Sequence, residues 1–123
     1  MKKLGMLGML VLLVSLVLAI SSCSGSSQQA SAADGKQVYD TNCSVCHGAN
    51  GAGGIKIGDD TTPDIRAKVM EDMFENDNDL ISNAILNGID EDGEELEAGM
   101  PRFKDKLSDT DVANLIAYLK TLK

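Results

Sequence analysis

Cys43-Ser44-Val45-Cys46-His47 is the stretch on which the reading of this chain turns. Two thiols with two residues between them, followed at once by an imidazole, suit covalent attachment of haem. Each sulfur forms a thioether to one vinyl group while the adjacent ring reaches the iron. Three other chemistries compete for the same residues. A redox dithiol wants a neighbouring βαβ pattern, and none is visible. A structural zinc needs four ligands, but the chain has one His and no second pair of cysteines. A disulfide between Cys43 and Cys46 leaves His47 without a role. One haem c per chain, held through Cys43 and Cys46 with His47 on the iron, is the expected cofactor.

Upstream, Lys2 and Lys3 precede an apolar run from Leu4 to Ile20, the layout of an export signal. The run could also just span a bilayer as an uncleaved anchor. Ile20-Ser21-Ser22-Cys23 resembles the lipobox of bacterial lipoproteins, in which the cysteine is lipidated and becomes the new N-terminus. Ser24 after that cysteine resembles the signal for passage to an outer membrane. Residues 1–22 are therefore expected to be a lipoprotein signal peptide. Residues 23–33 are expected to be a lipidated Cys23 and a flexible Ser-rich linker, and 34–123 the folded domain. The three cysteines are then all assigned, one to lipid and two to thioethers.

Size and charge narrow the classes further. A chain of 123 residues that yields a body of about 90 excludes a doubly wound sheet or a barrel enzyme. Only four aromatic residues (Tyr39, Phe74, Phe103, Tyr118) are available to fill its core, so a buried cofactor would add much. The formal charge of −8 becomes −10 once Lys2 and Lys3 leave with the signal. Such a surface repels nucleic acid and suits basic partners.

The closing segment reads as a helix on its own terms. Ser108 caps it, Asp111 completes a capping box, and Leu107 and Val112 take the staple positions. Val112, Leu115, Ile116, Leu119 and Leu122 form one apolar stripe, with Lys120 and Lys123 at the negative end of the dipole. Three more helices are expected. The first is capped by Asp34 and runs through Gly35, Val38 and Tyr39 to Cys43. The second has Thr62 as cap and Pro63 at its first position, with Ile65, Val69, Met70 and Met73 on one side. The third starts at Asp77 or Asn78 and closes at Asn87-Gly88. No stretch alternates convincingly as a strand, so the body is expected to be all-α.

From Ala33 to Lys123 the chain resembles a class I monohaem cytochrome c of the small bacterial type. The residues that carry the resemblance are Cys43 to His47 with Gly48 after them, Gly99-Met100-Pro101 about fifty residues later, and a closing helix with Tyr118. The resemblance implies about four helices wrapped around the haem, with the N- and C-terminal helices crossing at Gly35. Many relatives place a Pro soon after the haem motif, whose carbonyl orients the axial His. Here that stretch is Gly-Ala-Gly-Gly-Ile-Lys-Ile-Gly, and Thr62-Pro63 is the substitute expected to supply the carbonyl.

With a single His, the sixth iron ligand must be Met, Lys, another heteroatom, water or nothing. Met70 and Met73 fall in an amphipathic helix, where Met is usually core. Met100, between Gly99 and Pro101, falls in a turn that aims its sulfur inward, and is the expected ligand. Asp90, Glu91, Asp92, Glu94, Glu95 and Glu97 put six acids in eight residues, read as a solvated loop or a docking patch. Their spacing fails a calcium loop. The function expected is a monomeric, non-enzymatic electron carrier outside the cytoplasmic membrane. It would exchange electrons with redox proteins through basic docking faces on them, and be anchored by lipid on Cys23. The alternative is a gas sensor or small haem enzyme with an open sixth position.

Overall fold

The computed structural model describes residues 29–96 and 99–123. In order, the elements are α1 (Ala32–Asn42), α2 (Ser44–His47), β1 (Lys56–Ile57), β2 (Asp60–Thr61), α3 (Ala67–Phe74), α4 (Asn78–Asn87) and α5 (Asp109–Leu119). The expected signal peptide, Cys23 and the linker as far as residue 28 lie outside the described residues, as does Glu97 of the acidic run. Among the described residues, no helix is long and apolar enough to cross a membrane.

Helix α1 starts earlier than its Asp34 cap would have it. Ser31 is the N-cap, its hydroxyl accepting the Asp34 N–H at 3.2 Å, and Asp34 sits in the first turn near the positive end of the dipole. The Ser31 N–H donates to Asn114 Oδ1 at 2.7 Å, so the start of α1 is tied to α5. Gly35 lets the two helices meet. A Cβ there would lie 1.9 Å from the Asn114 carbonyl oxygen, closer than any side chain tolerates. Tyr39 and Tyr118 continue the contact, with ring centroids 5.3 Å apart. The expected crossing is thus present, at the expected glycine.

Helix α5 follows its sequence signals closely. The Ser108–Asp111 capping box is complete, and Val112, Leu115, Ile116 and Leu119 are buried while Leu122 packs against the core from its edge. Helix α4 is capped by Asp77, whose carboxylate accepts from the Asp79 and Leu80 N–H groups, and ends at Gly88 with φ +67°. It contributes Ile81, Ala84 and Ile85 to the core, and Phe103, on the chain between α4 and α5, is buried in the same core.

Helix α3 is where expectation and structure part. It starts at Ala67 after Arg66, not at Thr62-Pro63. A helix beginning at Thr62 would need the Thr62 and Pro63 carbonyls for its own bonds. Both are used elsewhere: Thr62 O accepts the Gly54 N–H at 2.8 Å, and Pro63 O faces the His47 ring. Asp64 then accepts the Arg66 N–H at 2.9 Å and pairs with its guanidinium, turning the chain into the later helix. The stripe also loses a member, since Met70 is buried but Met73 is 45 % exposed. The turn after α3 places Glu75 and Asn76 both at positive φ, and Lys120 donates to the Asn76 carbonyl at 2.8 Å.

The segment between His47 and α3 contains the strands that no alternation announced. Strands β1 and β2 pair antiparallel in register Lys56 with Thr61 and Ile57 with Asp60, all four exposed. The hairpin buries nothing and leaves the helical core as described.

Candidate haem site

The attachment motif straddles two helices. Cys43 ends α1, its N–H donating to Tyr39 O, and its carbonyl starts α2 by accepting the Cys46 and His47 N–H groups at 3.1 and 2.9 Å. One helical turn therefore separates the two sulfurs, the spacing at which side chains three apart are neighbours. Neither cysteine is in a disulfide. Burial pushes the Cys43 thiol up to about 11. Among the described residues, no three His, Cys, Asp or Glu side chains converge as a metal cluster would require.

His47 is 7 % exposed. Its Nδ1 lies 3.1 Å from Pro63 O. A carbonyl only accepts, so Nδ1 carries the proton and Nε2 keeps its lone pair for a metal. The carbonyl expected in the Thr62-Pro63 region is thus that of Pro63. What brings it there is Gly53, which the sequence reading passed over. The Gly53 N–H donates to His47 O at 3.0 Å, and a Cβ on Gly53 would lie 2.3 Å from Pro63 O. Its φ of +63° is a second reason for glycine. The glycine-rich stretch that departs from the usual proline is the cradle for a proline carbonyl arriving later in the chain.

Tyr39 braces the same turn. Its hydroxyl donates to Gly48 O at 2.6 Å, and burial above all pushes its pKa up to about 12. Gly48 itself turns the chain out of α2 at φ +78°.

Met100 is half-buried and packs against the edge of the core, as Cys43 does, on the loop that leads from α4 to α5. Its carbonyl accepts from Arg102 Nη1 at 2.8 Å. Of the candidate site residues, Cys43, Cys46 and His47 are gathered on one turn of chain, and Met100 borders the same core from a separate loop. Cys23 lies outside the described residues. Gly53 and Arg102 are the contributors missed in the sequence; the only signals available were a glycine in an otherwise unassigned loop and an arginine next to Pro101.

The donor set fits covalent haem. Two unbridged cysteines stand beside a buried histidine whose second nitrogen is already engaged. Fold and site together define a small helical domain built to carry haem through thioethers. The cytochrome c family matches residues 32–123 of this sequence. The chain is 29 % identical over 90 residues to cytochrome c6 of Synechococcus sp. (strain ATCC 27167 / PCC 6312), covering 73 % of this chain and 69 % of that one. It is 30 % identical over 95 residues to the Cbb3-type cytochrome c oxidase subunit CcoP of Azospirillum brasilense, covering 76 % of this chain but only 29 % of the subunit. The crystal structure of cytochrome c6C from Synechococcus sp. PCC 7002 superposes with a TM-score of 0.51 at 20 % identity, over 72 % of this chain and 92 % of that one. The chain belongs to the cytochrome c family. It is a c-type cytochrome, a haem protein of electron transfer.

Proposed function

We propose that this protein is a monohaem electron carrier tethered by lipid on Cys23 and working outside the cytoplasmic membrane, with His47 and Met100 as the two axial ligands. The observation that carries the reading is the Nδ1–H···O=C bond from His47 to Pro63, which leaves Nε2 free beside two unbridged cysteines. Cys43 and Cys46 would hold the haem, and bound haem supplies one-electron exchange at its iron. His47 is held in one tautomer and one orientation by Pro63, Gly53 and the α2 turn, so an imidazole ligand would move little between oxidation states. Met100 is a soft thioether, which favours the reduced metal and closes the sixth position.

Val45, 77 % exposed between the two cysteines, puts an apolar side chain at the surface beside the attachment point. Export and tethering rest on the sequence, from Lys2 to Cys23.

A visible spectrum of oxidised and reduced protein, with and without carbon monoxide, tests the assignment. The carrier gives a low-spin spectrum indifferent to the gas and a weak red-edge band in the ferric state, which disappears in Met100→Ala. Ready gas binding by the wild type would replace it with a sensor or enzyme bearing an open iron. Acyl groups found by mass spectrometry on Cys23, and release of the haem domain to the soluble fraction by Cys23→Ser, test the tether. An unmodified, retained Leu4 to Ile20 segment would show a helical anchor in its place.

A further inference from the structure

The loop that carries Met100 is fastened by one side chain from outside. Arg102 Nη1 donates to Met100 O at 2.8 Å and Nη2 donates to Leu96 O at 2.9 Å. The planar guanidinium thus joins the Leu96 and Met100 carbonyls immediately before Pro101. The guanidinium is seated on Gly88. A Cβ at that glycine would lie 2.0 Å from Arg102 Nε and 2.1 Å from Cζ. Gly88 is tied into the same arrangement by its carbonyl, which accepts the Leu96 N–H at 2.7 Å. Beyond Arg102 the chain is secured to α4, with the Phe103 N–H on Ile85 O at 3.3 Å and the Lys104 N–H on Leu86 O at 3.2 Å.

We propose that Arg102 is a positioning residue for Met100, and that its fork, resting on the bare face of Gly88, sets how readily the sixth position opens to an outside ligand. The inference rests on Met100 being that ligand. A thioether is a weak donor, and it holds a metal only as well as the backbone behind it is held in place. Swinging Met100 outward moves its carbonyl away from Nη1. Because both donors belong to one rigid plane, keeping the Leu96 contact prevents the guanidinium from following. Gly88 thereby has two functions: it ends α4 at positive φ, and it leaves room for the guanidinium.

The test is imidazole titration of the ferric holoprotein, read as loss of the red-edge band, with the denaturation midpoint measured alongside. Arg102→Ala should retain the band without imidazole but bind imidazole about tenfold more tightly, equivalent to about 1.4 kcal/mol. Arg102→Lys keeps the charge but not the fork, and should recover less than half of that difference on a logarithmic scale. Gly88→Ala, which displaces the guanidinium, should shift in the same direction as Arg102→Ala. Met70→Ala serves as a variant of lowered global stability and should leave imidazole affinity within twofold of wild type. The clamp is overturned if Arg102→Ala also stays within twofold, or if Met70→Ala tightens imidazole as much. A wild type without the band, or a Met100→Ala that keeps it, sinks the ligand assignment and this inference together. A band lost in Met100→Ala with unchanged imidazole affinity in Arg102→Ala sinks the clamp alone.

Discussion

On the His47 side of the site the fastening comes chiefly from main chain: a proline carbonyl on Nδ1, a glycine N–H on the histidine carbonyl, and a glycine that lets the two strands of chain touch. On the Met100 side main-chain bonds fasten Leu96 to Gly88 and Phe103 to Ile85, and between those ties the carbonyl of Met100 itself is held by an exposed arginine side chain. Main-chain fastening by close approach has few ways to loosen short of unfolding, whereas a surface side chain exchanges with water. If His47 and Met100 are the ligands as proposed, they should differ in lability, with the imidazole permanent and the thioether adjustable.

The comparison can be broken most severely at the attachment point. Changing Cys43 or Cys46 to Ala should prevent normal two-thioether attachment and lower stability, because bound haem contributes to so small a core. Intact mass and acid extraction check it: wild-type protein keeps one haem per chain in acidic solvent, and complete extraction of its colour would contradict the covalent assignment. Next in size is Gly53→Ala, which pushes into Pro63 O at positive φ. It should cost at least about 3 kcal/mol by chemical denaturation and disturb the histidine side first. Met100→Ala should instead leave most of the stability in place while lowering the reduction potential and admitting carbon monoxide. If Gly53→Ala opened the sixth position and Met100→Ala did not, the assignment of the two sides would be reversed.

Smaller effects sharpen the picture. Met70→Ala should cost about 2–5 kcal/mol, and Met73→Ala only about 0.5 kcal/mol or less, since one is buried and the other lies at the surface. Tyr39 gives a pH signature. Its folded pKa is raised to about 12, so the stability it contributes is complete below pH 10 and is lost as pH rises through 12. Native-state stability should fall over that window by an amount on the order of 2 kcal/mol more than in Tyr39→Phe, which has no proton to lose.

The legible parts of the sequence were those whose signals are local. Ser108 with Asp111, Asp77 with Gly88, and the two thiols before His47 each announce their structure within a few residues. Gly35 was legible because an empty side chain inside a helix asks for a neighbour. Thr62-Pro63 misled because its local signal, a cap followed by proline, was real in form. It was overridden by a histidine sixteen residues away that needed the carbonyl. Gly53 and Arg102 could not be read because their partners, Pro63, Gly88 and Leu96, become neighbours only after the chain folds. Met73 was assigned to the core by periodicity, yet α3 is only eight residues long and turns that position outward.

The crossing of α1 and α5 also dictates an order of events. The attachment cysteines follow α1 directly, but the face of α1 that carries Gly35 has its partner some eighty residues further along, at Asn114. If the chain is exported as proposed, it presents Cys43, Cys46 and His47 ahead of α5. Long-range closure of this kind is slow compared with local helix formation. On the proposed haem attachment, the thiols would stay reachable until α5 arrives, and its arrival would then complete the packing of α1 against α5.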